Sequence, residues 1–141
     1  MWEQGTHMPQ KVADFVGTWR LERWVVDQGT GAKSAFAGQA TIRADGGYSE
    51  HGQLTLPNGQ SVRAERQYLW RDGVNGIQVY FTDGRPFHMI HPQSPKAQHW
   101  CAPDMYHVSY DFSEFPIWRS KWIVQGPKKN YVMRSCYGKH G

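Results

Sequence analysis

Turn-forming residues recur along this chain at intervals that leave room for strands and for little else. From Asp27 onward they fall at Asp27-Gln28-Gly29, Ala44-Asp45-Gly46-Gly47, Pro57-Asn58-Gly59, Asp72-Gly73, Asp83-Gly84 and Gly126-Pro127. A spacing of about eight to twelve residues is that of an all-β meander. Asn-Gly and Asp-Gly supply the positive φ that tight hairpins require. The segments between turns predict strands over 19–26, 37–44, 48–56, 61–71, 77–82, 87–91, 97–101, 105–112, 117–125 and 130–137. So many short strands crowd one open sheet, and closing the sheet removes its edges. The expectation is an all-β fold, a closed antiparallel up-and-down barrel of about 8–10 strands, with a sandwich as the alternative. Ahead of the first strand, Val12, Phe15 and Val16 follow the i, i+3, i+4 pattern of one helical turn, which predicts a short N-terminal helix capping one barrel end.

Seven Trp, seven Tyr and six Phe among 141 residues supply the large apolar side chains that disordered chains lack. A chain of this length fits one domain, expected over residues 8–141. Residues 1–7 show no periodicity, and His7-Met8 reads as a cloning junction, so this stretch is expected to be a disordered tag remnant with Met8 as the natural start. No stretch has the apolar length of a membrane-spanning helix, and no basic segment followed by an apolar run opens the chain, so neither a membrane nor a secretion signal is expected. Cys101 and Cys136 make no disulfide framework and read as reduced thiols in a cytoplasmic protein. The net charge of +4 is spread along the chain, with Lys128-Lys129 the only adjacent bases, and charge without clustering argues against nucleic acid as a partner. A homodimer is left open.

Because side chains alternate along a strand, placing Trp19 inside also places Leu21, Arg23 and Val25 inside. Arg23 then needs a buried acceptor. Glu50 answers, since Tyr48, Glu50, Gly52 and Leu54 share one face of their strand. The alternatives are a bulge that turns Arg23 to solvent, or an Arg23 that anchors a carboxylate or phenolate of a ligand. Ile77, Val79 and Phe81 form one apolar face and Phe87 and Met89 another; Tyr68 pairs with Trp70, and Trp118, Ser120, Trp122 and Val124 share a face. Such rings either fill the barrel or wall a pocket whose polar fixings would be Tyr48, Tyr68, Ser120, Tyr131 and Ser135.

Residues 85–107 concentrate titratable groups: Arg85, His88, His91, His99, Cys101, Asp104, Tyr106 and His107. Histidine near its ordinary pKa moves protons at neutral pH. One reading is therefore cofactor-independent acid–base catalysis of an isomerase, cyclase or lyase type. In it His88 or His99 moves the proton, Tyr106 bonds an oxyanion, Asp104 orients a histidine and Arg85 holds an acid group. Cys101, two residues after His99, is a conceivable nucleophile, but an inert buried thiol explains it as well. No zinc spacing is present, and His88 and His91 fall on opposite strand faces, so no metal site is expected.

A helical turn followed by Gly17-Thr18-Trp19 on the first strand, with Arg134 on the last, resembles the lipocalin and calycin pattern. The resemblance implies that Trp19 closes the barrel bottom with Arg134 lying across its ring. The segments 83–88, 99–106 and 122–129 are similar to an uncharacterised family of small lipocalin-like proteins. The chain carries Arg20-Leu21-Glu22 where the haem-binding nitrobindins have further glycines. The functional expectation is a barrel binding a small hydrophobic or aromatic molecule, with an acid or phenol group, by Arg23, Tyr48, Glu50, Tyr68, Arg85, Phe87, Trp118 and Trp122, without a cofactor. The enzyme is one alternative, and a haem-binding barrel with a lone axial histidine is the other.

Overall fold

The computed structural model describes residues 8–92 and 96–139. Residues 1–7, expected to be a tag remnant, lie outside the described residues. Ten antiparallel strands form one sheet: β1 (Gly17–Asp27), β2 (Lys33–Ile42), β3 (Gly47–Thr55), β4 (Ser61–Asp72), β5 (Ile77–Tyr80), β6 (Pro86–Ile90), β7 (Lys96–Cys101), β8 (Asp104–Glu114), β9 (Ile117–Gln125) and β10 (Asn130–Lys139). Strands adjacent in sequence pair with each other, except β6 and β7, and β1 pairs with β10, so the spatial order runs β6-β5-β4-β3-β2-β1-β10-β9-β8-β7. The sheet curls into a nearly closed barrel, and among the described residues no hydrogen-bonded ladder joins β6 to β7.

The hairpins follow from the turn chemistry. At the β1–β2 turn the Asp27 carboxylate accepts the backbone N–H of Gly29 and Thr30 at 2.8 and 2.9 Å. At the β3–β4 turn Gly59 takes φ +88°, which a side chain would resist.

The predicted helix is a single 3-10 turn, Val12–Phe15. It caps one end of the barrel, because Phe15 is fully buried against Trp70, Phe112, Phe115 and Trp118 with ring centroids 5.1–5.7 Å apart. Trp19 Nε1 donates to the Phe15 carbonyl at 2.8 Å, which ties the turn to β1. Trp118 and Tyr137 stack at 3.7 Å with planes 2° apart and complete this closed end.

The expectation that Arg134 crosses the Trp19 ring is corrected: Arg134 is exposed, and the cation over Trp19 is Lys139 Nζ, 4.4 Å from the ring centroid. The cause is parity. Met133, Ser135 and Tyr137 of β10 face inward, so Arg134 between them must face out, while Lys139 sits directly opposite Trp19. The second correction concerns β6. The register shifts between Val79 and Tyr80, and with that irregularity Phe87 and His88 are both buried, followed by Ile90, with Met89 only half-buried. Phe87 and Met89 therefore do not form the apolar face expected from strict alternation.

Candidate ligand-binding site

Strand β1 carries charge into the barrel. Its inward positions begin with Trp19 and Leu21 and continue with Arg23, which is only 5% exposed. Arg23 Nε donates to Ser135 Oγ at 2.7 Å, Nη2 donates to Glu50 Oε2 at 3.0 Å, and Nη1 donates to Glu50 Oε1. The Tyr48 hydroxyl donates to Glu50 Oε2 and lies 2.9 Å from the Tyr137 hydroxyl. No bulge turns Arg23 to solvent; the charge is buried and paired, and its partner is Glu50.

Burial alone would lower the Arg23 pKa, but the hydrogen bonds and charge of Glu50 and the neighbouring phenols hold it above the ordinary arginine value. Burial pushes the Tyr48 hydroxyl up and the Tyr137 hydroxyl up to about 12. Both phenols are therefore neutral donors and acceptors, and the network gains no second anion from them.

A second guanidinium stands beside this pair. Arg66 on β4 is directly opposite Glu50 on β3. Its Nε is 3.8 Å from Glu50 Oε1, its Nη1 donates to the Tyr68 hydroxyl at 3.4 Å, and its Cζ lies 5.6 Å from the Trp122 ring centroid. The Arg66 side chain is 37% exposed.

Together Arg23, Glu50 and Arg66 form the floor of a cup of about 310 Å³, walled by Val25, Ser34, Phe36, Leu54, Ala64 and Tyr131, with the exposed Glu65 at its border. The mouth of a β-barrel is a common place for a small-molecule site, and this volume falls at the small end of the usual range. The wall is shaped by a glycine pair. Gly38 on β2 faces Gly52 on β3, and a Cβ on Gly52 would fall 2.8 Å from Phe36 Cζ. The Ala37 carbonyl oxygen and, at 2.7 Å, Gly38 Cα lie nearer still to that position, so the close approach of the two strands is what requires bare backbone, and the Phe36 ring lies over it with Arg23 Cζ 5.5 Å from its centroid.

Below the floor the barrel is filled. Tyr48, Tyr68, Trp70, Val79, His88, Tyr110, Trp118 and Trp122 leave only about 20 Å³ between them, room for about one water. His88 is 5% exposed, with Nε2 2.9 Å from the Tyr110 hydroxyl. Burial, with a smaller contribution from His99, pushes its imidazole down to about 3, so the ring is neutral and adds no charge to the interior.

The sequence candidates separate into three groups. Arg23, Tyr48 and Glu50 meet in the floor. Tyr68, Phe87, His88, His99, Tyr106 and Trp122 gather around the Phe87 ring, with centroid distances from 4.5 to 5.9 Å. The others stand apart. Arg85 is exposed on the β5–β6 hairpin, paired with Asp83 at 2.8 Å. Asp104 is paired with Lys129 at 3.2 Å, and Trp118 belongs to the closed end.

Sequence reasoning passed over Arg66, Tyr110 and Tyr137. A signal for Arg66 was present: with Pro57-Asn58-Gly59 as the hairpin turn, Thr55 pairs with Ser61, and counting outward brings Glu50 opposite Arg66.

Among the described residues the cup has no imidazole or thiol in its walls, and the space beside His88 is water-sized, so neither of these two spaces offers haem both an axial ligand and room for its ring. Among the described residues no group of three or more His, Cys, Asp or Glu is placed to hold a metal ion. No helix of the described residues is long and apolar enough to cross a membrane.

The fold is shared with a solved structure, the S-type phycobiliprotein lyase CPES from Guillardia theta. The match has a TM-score of 0.63 and covers 92% of this chain and 90% of that one at 8% sequence identity. That supports the lipocalin-like barrel resemblance at the level of fold. No curated protein matches the chain by sequence. Residues 15–139, from the capping Phe15 to the Lys139 that covers Trp19, match the family of unknown function DUF6314, and the chain belongs to that family.

Proposed function

We propose that this barrel binds a small hydrophobic or aromatic molecule, carrying an acid or phenol group, in the cup above Arg23, Glu50 and Arg66. The observation that carries the reading is the contrast between wall and floor. The wall is mostly apolar, through Val25, Phe36, Leu54 and Ala64, with Ser34 and Tyr131 as its polar members and Glu65 exposed at the border, while the floor sets two guanidinium groups against one inward carboxylate. A partly desolvated positive surplus under a mostly apolar wall favours an apolar body with an anionic end, because a desolvated charge needs a partner.

The acid–base alternative asks for His88 or His99, Tyr106, Asp104 and Arg85 around one cavity. Arg85 is exposed and paired with Asp83, and Asp104 is engaged by Lys129. The arrangement therefore supports binding better than turnover.

The test is a titration with N-phenyl-1-naphthylamine, a neutral apolar fluorophore that brightens on leaving water. The expected result is saturable brightening with the wild-type protein and its loss in Ala64→Trp, whose ring would fill the cup. No brightening, or brightening undiminished by Ala64→Trp in a folded protein, would overturn the reading.

A further inference from the structure

The two guanidinium groups of the floor differ in what they have left to offer. Arg23 makes three hydrogen bonds within 3.0 Å, and its partner Glu50 also accepts from Tyr48. A ligand anion reaching Arg23 would have to displace a buried partner and leave it unpaired, which costs more than a new bond returns. Arg66 is held more loosely. Its ion pair with Glu50 spans 3.8 Å and its bond to Tyr68 spans 3.4 Å, both beyond the distance of a strong hydrogen bond. It also has a side-chain hydrogen-bond contact with the Tyr131 phenol and lies 5.6 Å from the Trp122 ring centroid, and none of these contacts is a close ion pair. It borders both the cup and the filled interior, and its side chain keeps 37% exposure.

Resting on the reading of the cup as a ligand site, we infer that Arg66 is the specificity-determining residue and that it docks the carboxylate of a monoanionic aromatic acid. The guanidinium presents parallel N–H groups that match the two oxygens of a carboxylate, a fit that a phenolate's single oxygen does not offer. Binding replaces one long contact with two short charge-assisted bonds, and the Tyr131 hydroxyl at the same wall can donate a third. The charge count sets the valence. Glu65 also borders the cup, but it is exposed and alternates with the inward Arg66 on β4, so inside the barrel Arg23 and Arg66 face the Glu50 carboxylate; one anionic group balances that floor, and an ammonium group adds to the surplus. The apolar body then lies against Val25, Leu54 and Ala64, with Phe36 closing the far wall.

The experiment compares isosteres that share one body: 2-naphthoate, 2-naphthamide and 2-naphthylmethylammonium, each measured by calorimetry or by displacement of N-phenyl-1-naphthylamine. The expected result for the wild-type protein is that the carboxylate binds about tenfold or more tighter than the amide, as charge-assisted bonds allow, with the ammonium weakest. In Arg66→Gln the ratio of carboxylate to amide affinity falls to near one, and Arg66→Lys restores part of it. A wild-type ratio near one overturns the inference, since the isostere series needs no variant to fold. A ratio that persists in Arg66→Gln also overturns it, because the anion would then sit elsewhere. If the cup binds N-phenyl-1-naphthylamine in either of those cases, the cup reading stands and the Arg66 inference alone fails. If none of the naphthalenes and no neutral fluorophore binds, the cup reading fails and takes this inference with it.

Discussion

The closed end of the barrel and its open end are walled by the same strands, yet one is solid and the other is hollow. At the closed end the inward positions are Trp19, Ile42, Trp70, Trp118 and Tyr137, all buried around Phe15. At the open end the same alternation presents Val25, Ser34, Leu54 and Ala64, which are too small to meet across the barrel. Parity is identical at both ends; side-chain volume is what differs. Rings at the closed end dominate the area removed from water, so stability resides there, while the open end is free to be specified by a ligand. Between the two lies the polar layer of Arg23, Glu50, Tyr48 and Tyr137, and the sharpest questions concern which end that layer belongs to.

The largest effect should come from the closed end. Trp19→Ala removes a fully buried ring, its bond to the Phe15 carbonyl and the seat of Lys139. Truncations of this kind cost about 3–5 kcal/mol. Urea denaturation should show a loss of that order, while the folded fraction binds 2-naphthoate with unchanged affinity. A loss under about 1 kcal/mol would mean that the closed end is not where the stability lies, and the contrast between the ends would collapse.

Next comes the polar layer. Removing one member of a buried ion pair leaves the other unpaired and costs about 3–5 kcal/mol, whereas replacing both with apolar groups is often neutral. Glu50→Leu should therefore be destabilised by about 3 kcal/mol, and Arg23→Met with Glu50→Leu should regain most of that loss in chemical denaturation. If Glu50→Leu unfolds at the same urea concentration as wild type, Arg23 is solvated. The floor would then belong to the open end.

Alternation made the Arg23–Glu50 part of the floor legible in the sequence: from Trp19, two-residue steps reach Arg23, and the same steps on β3 set Tyr48 and Glu50 on one face. The ten strands were legible because the turns are written in Asn-Gly and Asp-Gly, whose φ preferences are local. What was not legible is what alternation alone does not encode. The irregularity at Val79 and Tyr80 carries no glycine, and its one local mark is Pro86 opposite Tyr80, which fits a strand start as well as a bulge, yet with it both Phe87 and His88 turn inward. Arg134 was misplaced by trusting a family pattern over parity, although Ser135 was already assigned an inward face. Arg66 was passed over because one more arginine on a polar strand looks like surface; its meaning depends on pairing with Glu50, which is a property of the hairpin register and not of either residue. The segment 85–107 looked chemical because titratable residues were near in sequence, but strand turns scatter them, placing Arg85 and Asp104 apart from His88.

The smallest expected effect tests how deep the dry region extends. His88 is buried beside the water-sized space, bonded to Tyr110 through Nε2, and its Nδ1 has no hydrogen-bond partner among the described residues. Burial, with a smaller contribution from His99, holds its folded pKa near about 3 against an ordinary 6.5. Between those values the unfolded chain takes up a proton that the folded chain refuses. The contribution is therefore fully present above about pH 6.5 and is lost as pH falls towards 3. Each pH unit well below 6.5 removes roughly 1.4 kcal/mol, so this residue alone should make the protein about 2 kcal/mol less stable at pH 5 than at pH 7. Urea denaturation of wild type and His88→Phe at both pH values isolates the effect, because other titrating groups act in both proteins. The wild type should lose about 2 kcal/mol more than the variant on acidification. Equal losses would mean that His88 is hydrated in the folded state, and the open end would then reach past Arg23 and Glu50 into the space now assigned to the closed core.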